Sequence, residues 1–276
     1  MIHVDLNRLQ ISDELQERLD AATQELLAMD DIQAKKDYID RNAHLWGAVR
    51  PYLIRLTGAN INDAKCWYCE SKGGGFTHHV DHFRPKKCVQ EKEQPNESGY
   101  WWLAFNVSNY RLSCQRCNTG SGKRDQFPLE QGFQRVTCPE DDIENEITLL
   151  FDPARTGDNT FFAFSEDGRV YPFISNDSYP SRKAKISIKV YDLNHVSKVE
   201  ARKQVVHKCL WLAKRVIRAR KHLLNAPLEA EQAATERYYE LCEEIKRKVL
   251  SDAEFSTSAR FCFRGMGIDW INDLIS

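Results

Sequence analysis

Between residues 12 and 56 the apolar positions recur at helical spacing. Leu15, Leu19, Ala22, Leu26 and Leu27 mark one face of a first helix. Ser12 is its N-cap candidate, and Asp13 and Glu14 fall in the first turn, where free amides and the helix dipole favour acids. A second helical stretch runs from about residue 30 to residue 56, with Ile32, Tyr38, Ile39, Leu45 and Trp46 as buried positions. Pro51 lacks an amide donor and crowds the preceding turn, so it is expected to kink or divide that stretch. Residues 1–10 read as a short strand or lead-in. The helical period then lapses. Thr77, His79, Val80 and Phe83 can form a strand, and residues 147–151 predict another, closed by Asp152-Pro153 after an acidic surface loop over 139–144. Residues 161–164 and 170–173 flank Asp167-Gly168, a hairpin signal. Helical spacing returns over about 196–250, in two segments divided at Asn225-Ala226-Pro227.

Composition changes this picture in three ways. The 276 residues, 42% hydrophobic and 29% charged, can bury a sizeable core as one large domain or two modest ones. A net charge of −1 excludes an indiscriminate polyanion binder, so any nucleic-acid surface has to come from local clustering. Such a cluster exists in the first C-terminal helical segment, where no acid stands between Arg202 and His222. Lys203, His207, Lys214, Arg218 and Lys221 share one face, and Val206, Cys209, Ala213 and Val216 form a separate apolar stripe. The basic face has three readings: a solvated surface, a track for a nucleic-acid backbone through Lys214, Arg215 and Arg218, or a dock for an acidic partner. Of nine cysteines, four stand in Cys-x-x-Cys pairs and five are scattered, which suits a reducing cytoplasm and one metal site better than a disulfide framework. No basic leader precedes an apolar run, and nothing approaches the roughly 20 apolar residues that span a bilayer. A soluble cytoplasmic protein with no membrane partner is expected.

The chemistry concentrates between residues 66 and 123. Cys66, Cys69, Cys114 and Cys117 form two knuckles that can close a tetrahedral zinc site, filled and therefore structural. Between them lies Asp81-His82, and Asn118 follows directly on the last cysteine. Neighbours on a strand point to opposite faces, so at a bend one of the pair can bind metal while the other faces substrate. The oxygens of Asp81 and Asn118 favour Mg²⁺ or Mn²⁺, and one imidazole beside such an ion suits deprotonation of water. Alone, each element has a plainer reading: Asp-His as a polar pair, Asn118 as a helix cap. Trp101 and Trp102, flanked by Leu103 and Phe105, read as core before they read as base-stacking platforms.

Taken together, these residues resemble the HNH, or ββα-metal, endonucleases of the Asp-His/Asn/Asn variety. The resemblance implies that Asp81 and Asn118 hold the catalytic ion, that His82 is the general base, and that Asn109 holds the loop and orients that base. Arg84 and Lys123 stand where a cation can contact phosphate. His78 and His79 are extra, and whether His79 also reaches the metal stays open. Residues 66–70, 81–86, 99–104 and 127–129, and more weakly 146–153 and 192–195 followed by Arg202, are similar to the HNH nucleases of anti-phage defence: the PtuB-type subunits of Septu systems and their retron-associated relatives. That likeness implies hydrolysis of phosphodiesters, of DNA before RNA, and an ATPase partner subunit. The competing classes are a zinc-stabilised nucleic-acid-binding module without catalysis, a stand-alone restriction-type HNH nuclease and an RNA-targeting nuclease. The fold expected is α+β, with a ββα-metal HNH core and a Cys₄ zinc knuckle flanked by N-terminal and C-terminal helices. The expected division is a helical scaffold over 1–60, the nuclease module over 61–130, and a hairpin and helical region over 131–276.

Overall fold

The computed structural model describes residues 1–72, 78–91 and 95–276; Thr77, read above as a strand residue, lies outside the described residues. The helices α1 (Asp13–Leu27), α2 (Ile32–Arg41) and α3 (Ala43–Arg55) come first. Strands β1 (His79–His82) and β2 (Tyr110–Ser113) follow, and the one-turn helix α4 (Gln115–Asn118) comes directly after β2. A hairpin of β3 (Phe162–Phe164) and β4 (Val170–Pro172) leads to α5 (Tyr179–Val190), α6 (Val196–Leu224), α7 (Leu228–Val249), α8 (Ser256–Arg264) and α9 (Asp269–Leu274). The architecture is α+β, with two small antiparallel sheets among the described residues, set among helices. Among the described residues no helix is long and apolar enough to cross a membrane.

The first helix forms as its pattern dictates. Ser12 Oγ accepts the Leu15 amide at 3.3 Å, and Leu15, Leu19, Ala22 and Leu26 are buried, whereas Leu27 is exposed. The second stretch divides at Asn42, not at Pro51. Asp31 caps α2 through the Ala34 amide at 2.7 Å, and Asn42 closes it by donating to the Tyr38 carbonyl at 3.0 Å. Pro51 stays inside α3, four residues after Gly47.

Two strand expectations give way to other hydrogen-bonding solutions. Residues 1–10 hold a turn of 3-10 helix (Leu6–Arg8), with Val4 donating to the Pro153 carbonyl at 2.8 Å. Over 147–151 there is one isolated bridge, Thr148 to Leu129, and no strand. The backbone there is satisfied by side chains: Ser187 Oγ accepts from Phe151 at 2.7 Å and donates to the Leu149 carbonyl at 3.2 Å, and Thr148 Oγ1 accepts from Leu150 at 3.1 Å. The second hairpin forms as expected, pairing Phe162 with Pro172 and Phe164 with Val170. Its turn needs Gly168, which sits at φ +86° against the Val199 carbonyl of α6 and gives its own carbonyl to buried Arg202.

One apolar core runs from the N-terminal helices through the 66–127 stretch to Leu193, and burial of Trp101 and Trp102 assigns both to it. A second core joins α6, α7, α8 and α9 through Cys209, Val216, Leu241, Ile245, Phe263 and Ile271. Inside the first core Arg111 meets Asp152 with two parallel bonds, Nε–Oδ1 at 2.6 Å and Nη2–Oδ2 at 2.7 Å. Burial alone raises the Asp152 pKa, but the guanidinium outweighs it and leaves the carboxyl below its ordinary value. Arg111→Met strands that carboxylate, so urea denaturation should show a loss of about 3 kcal/mol. An unchanged midpoint would mean that the pair contributes nothing net.

Candidate functional site

The four-cysteine cluster is built by two local turns brought together by β2. In the first knuckle Glu70 adopts a left-handed φ of 64° and donates its amide to the Cys66 carbonyl at 2.8 Å, curling Cys69 back. In the second, Cys114 is the N-cap of α4 and Cys117 donates its amide to the Cys114 carbonyl at 3.1 Å. The Trp67 amide bonds the Leu112 carbonyl of β2 at 2.9 Å, which docks one knuckle beside the other. The four sulfurs lie within 4.8 Å of one another, and Cys69 Sγ is 3.8 Å from Cys114 Sγ. A tetrahedron with zinc–sulfur arms of about 2.3 Å has sulfurs about 3.8 Å apart, so the cluster fits zinc.

The charge balance agrees with a cation here. Burial pushes the Cys66 and Cys117 thiols well up, whereas hydrogen bonds from neighbouring thiols hold Cys69 and Cys114 down. Four buried sulfurs cannot all ionise without positive charge to receive them. Lys198 supplies some of it: its Nζ lies 3.2 Å from Cys117 Sγ and is held by the carbonyls of Tyr191 and Asp192, each at 2.9 Å. Burial disfavours this ammonium, but the thiolates, Cys117 first, outweigh that and raise its pKa.

Beside the zinc centre, β1 pairs antiparallel with β2, Asp81 opposite Arg111 and His82 opposite Tyr110. A cleft of about 300 Å³ opens between the end of β1 and α4, and Asp81, His82, Lys86, Asn118, Arg124 and Asp125 line it. The strand directs its two chemical side chains to opposite sides, as the alternation predicts. Asp81 Oδ2 accepts from the Tyr68 hydroxyl at 2.6 Å, and Oδ1 lies 3.2 Å from Lys123 Nζ. Burial, then the Asp81 charge, push the Tyr68 phenol well up, so it stays a donor. His82 points the other way, its ring in edge contact with Trp46 and Tyr110, both at 5.1 Å. Its Nε2 lies 2.9 Å from the Ala104 carbonyl, which can only accept; that fixes the proton on Nε2 and leaves a lone pair on Nδ1. Burial, and then Lys86 with its Nζ 3.4 Å from Nδ1, hold the imidazole pKa well below the usual histidine range.

Asn109 lies outside the cleft and clamps the loop after β1. Its Oδ1 accepts the Arg84 amide at 2.8 Å and its Nδ2 donates to the Arg84 carbonyl at 3.0 Å, while its own carbonyl accepts the Phe83 amide at 2.8 Å. The group that orients His82 directly is the Ala104 carbonyl, which also accepts the Tyr110 hydroxyl at 2.8 Å. Arg84 is turned inward onto Glu146 at 2.9 Å and the Ile143 carbonyl at 3.0 Å. Lys123 is fully buried, tying Asp81 to the His82 carbonyl at 2.7 Å. Lys214, Arg215 and Arg218 lie on α6, apart from the cleft. His79 shares the Asp81 face of β1 without lining the cleft, and His78 is buried with both ring nitrogens unpartnered among the described residues.

Sequence reasoning did not single out Lys86, Arg124 or Asp125, although each stands within four residues of a motif residue. Nor did it single out Tyr68 or Ala104. Tyr68 was legible inside the first knuckle; no signal marks an alanine whose carbonyl is the useful atom. As to a divalent ion, each Asp81 oxygen carries one hydrogen bond and keeps a free lone pair. Asn118 and Asp125 line the same cleft and carry hard oxygen donors, the type that Mg²⁺ and Mn²⁺ prefer.

This combination of a zinc knuckle, an antiparallel strand pair and an Asp-His cleft accompanies a similarity in sequence: the chain resembles the PtuB-like HNH nucleases of anti-phage defence. It is 34% identical over 146 residues to the Septu protein PtuB of Bacillus mycoides, covering 52% of this chain and 47% of that one. It is 25% identical over 190 residues to a retron Vc95 protein of Vibrio cholerae named as an HNH endonuclease, covering 67% of this chain and 78% of that one. A match of 26% over 147 residues to the Septu protein PtuA of Bacillus mycoides covers 19% of that protein. The chain thus spans about half the length of PtuB and about a fifth of PtuA. No family model matches it.

Proposed function

We propose that the chain is a metal-dependent HNH endonuclease that hydrolyses phosphodiesters of DNA as the nuclease subunit of an anti-phage defence system, with an ATPase as its partner subunit. On this reading β1, β2 and α4 form the ββα-metal core, and the zinc knuckle holds the two strands against the helix. The carrying observation is the His82 tautomer: Nε2 is committed to the Ala104 carbonyl, so the lone pair is on Nδ1, with Lys86 Nζ 3.4 Å from it, and His82 lines the same cleft as Asp81 and Asn118. A divalent ion held by Asp81 and Asn118 would stabilise negative charge on the phosphate and the leaving oxygen. Nδ1 takes the proton of the attacking water, and burial keeps the ring neutral for that step. Trp46 and Tyr110 fix the ring plane, and Asn109 fixes the loop that follows. Lys86 and Arg124 offer cations to the phosphate, while Lys123 and Arg84 position Asp81 and the loop from inside. The likeness to Septu proteins supports the defence role and the partner.

The test is cleavage of plasmid DNA and total RNA, with and without Mg²⁺ or Mn²⁺, by wild type, Asp81→Ala and Asn118→Ala. The expected result is divalent-dependent loss of DNA with wild type and a decrease of about 100-fold in both variants, with zinc content unchanged. Equal cleavage by all three proteins would overturn the reading. Loss of RNA with DNA left intact would move the substrate. Binding without cleavage by any of them would favour a zinc-stabilised binding module.

A further inference from the structure

Helix α6 carries Cys209, Leu212, Ala213 and Val216 into the second core. At about 100° per residue Trp211 lies on the opposite side of the helix, and it is 57% exposed. Trp67, Trp101 and Trp102 are buried and Trp46 and Trp270 half-buried, so Trp211 is the one exposed indole of six. Cations surround it at helical spacing: Lys208 one turn before, Lys214 and Arg215 one turn after, Arg218 two turns after. The Arg215 guanidinium stacks on the indole at 4.3 Å. Among the described residues none of Lys208, Lys214, Arg215 and Arg218 is paired with a carboxylate, and no acid stands between Ala201 and Asn225. A single exposed apolar ring is ordinary on a surface; what marks this one is its place at the centre of the basic face, with a guanidinium on it. An unneutralised row of cations around a rigid aromatic plate suits a chain of phosphates carrying flat, unstacked rings.

We propose that the Trp211 face of α6 binds single-stranded nucleic acid, Trp211 stacking on a base while Lys214 and Arg218 hold the flanking phosphates. The proposal rests on the nuclease reading for its purpose, since it names the form of nucleic acid presented. A duplex keeps its bases stacked and offers this plate only its backbone. Along α6 the plate lies about 20 Å from Lys198 at the zinc centre, at 1.5 Å per residue.

The experiment is a fluorescence titration with no divalent ion added, so that binding is read without cleavage. The probes are a 20-nucleotide oligo-dT, oligo-rU of equal length, and the dT·dA duplex. Oligo-dT or oligo-rU should quench the exposed indole of the wild type; read by the anisotropy of the same oligonucleotides carrying a 5′-fluorescein, Trp211→Ala should bind about tenfold more weakly, with Trp211→Phe recovering part of the loss. Lys214→Glu with Arg218→Glu should lower the salt dependence of binding by about two phosphate contacts. Equal quenching by the duplex overturns the proposal, because base stacking is then not what Trp211 reads. No quenching by any probe also overturns it and assigns the face to an acidic protein partner. A wild type that cleaves nothing yet shows the single-strand quenching refutes the nuclease reading alone. Intact cleavage with unaltered single-strand binding by Trp211→Ala refutes this inference alone.

Discussion

His82→Ala should lower the cleavage rate by about 10² to 10⁴, the range a positioned general base contributes. The expectation follows from geometry. Nε2 is spent on the Ala104 carbonyl at 2.9 Å, the ring is wedged between Trp46 and Tyr110, and Nδ1 keeps the remaining lone pair. Because His82 is 5% exposed, the substitution also leaves a cavity, and some loss of stability accompanies it. Two measurements separate the effects. A thermal melt reports the cavity, while His82→Gln keeps a donor toward Ala104 and much of the volume without supplying a base near neutral pH. Both variants should be inactive, the glutamine variant closer to wild type in stability. Should either one cleave at the wild-type rate, His82 is not the base.

Cys117→Ser should release zinc and unfold the stretch that carries the cleft. Structural zinc contributes on the order of 10 kcal/mol of binding, comparable with the whole stability of a domain, about 5–15 kcal/mol. Cys117 is a demanding position because its sulfur is fully buried and Lys198 rests on it at 3.2 Å; without the thiolate, that ammonium loses its counter-charge. The consequences spread through the Trp67–Leu112 backbone bond into β2, and through the β1–β2 pairing to Asp81 and His82. Zinc analysis should give about one ion per wild-type chain and none in the variant, and hydrogen exchange should lose protection over β1 and β2. A variant that melts like wild type and keeps those strands protected would show that the four cysteines are packing and not a metal centre.

The parts of the molecule legible in the sequence are those set by covalent spacing or local period. Two Cys-x-x-Cys knuckles can only curl into paired thiols, Asp-Gly between apolar runs makes a hairpin, and Pro227 after Asn225 ends α6 and starts α7. Asp81, His82 and Asn118 were readable because their residue types are chemically specific and the knuckles frame them. Helix α5 was not readable: its apolar residues Ala184, Ile186, Ile188 and Val190 alternate like a strand, and its buried face is completed by Ser181, Lys183 and Ser187, which no hydrophobic pattern reports. Lys183 is buried there because Asp158 receives it at 2.7 Å, a partner 25 positions earlier in the chain. The same holds at the site. That Lys123 turns inward onto Asp81, that the Ala104 carbonyl sets the His82 tautomer, and that Arg124 and Lys86 face the cleft all depend on segments meeting from 4 to 42 residues apart. Residue type and period determine which groups are present and which way a local element turns. Which donor meets which acceptor is decided when the elements pack, because a buried polar group takes whatever partner the fold brings within 3 Å or so.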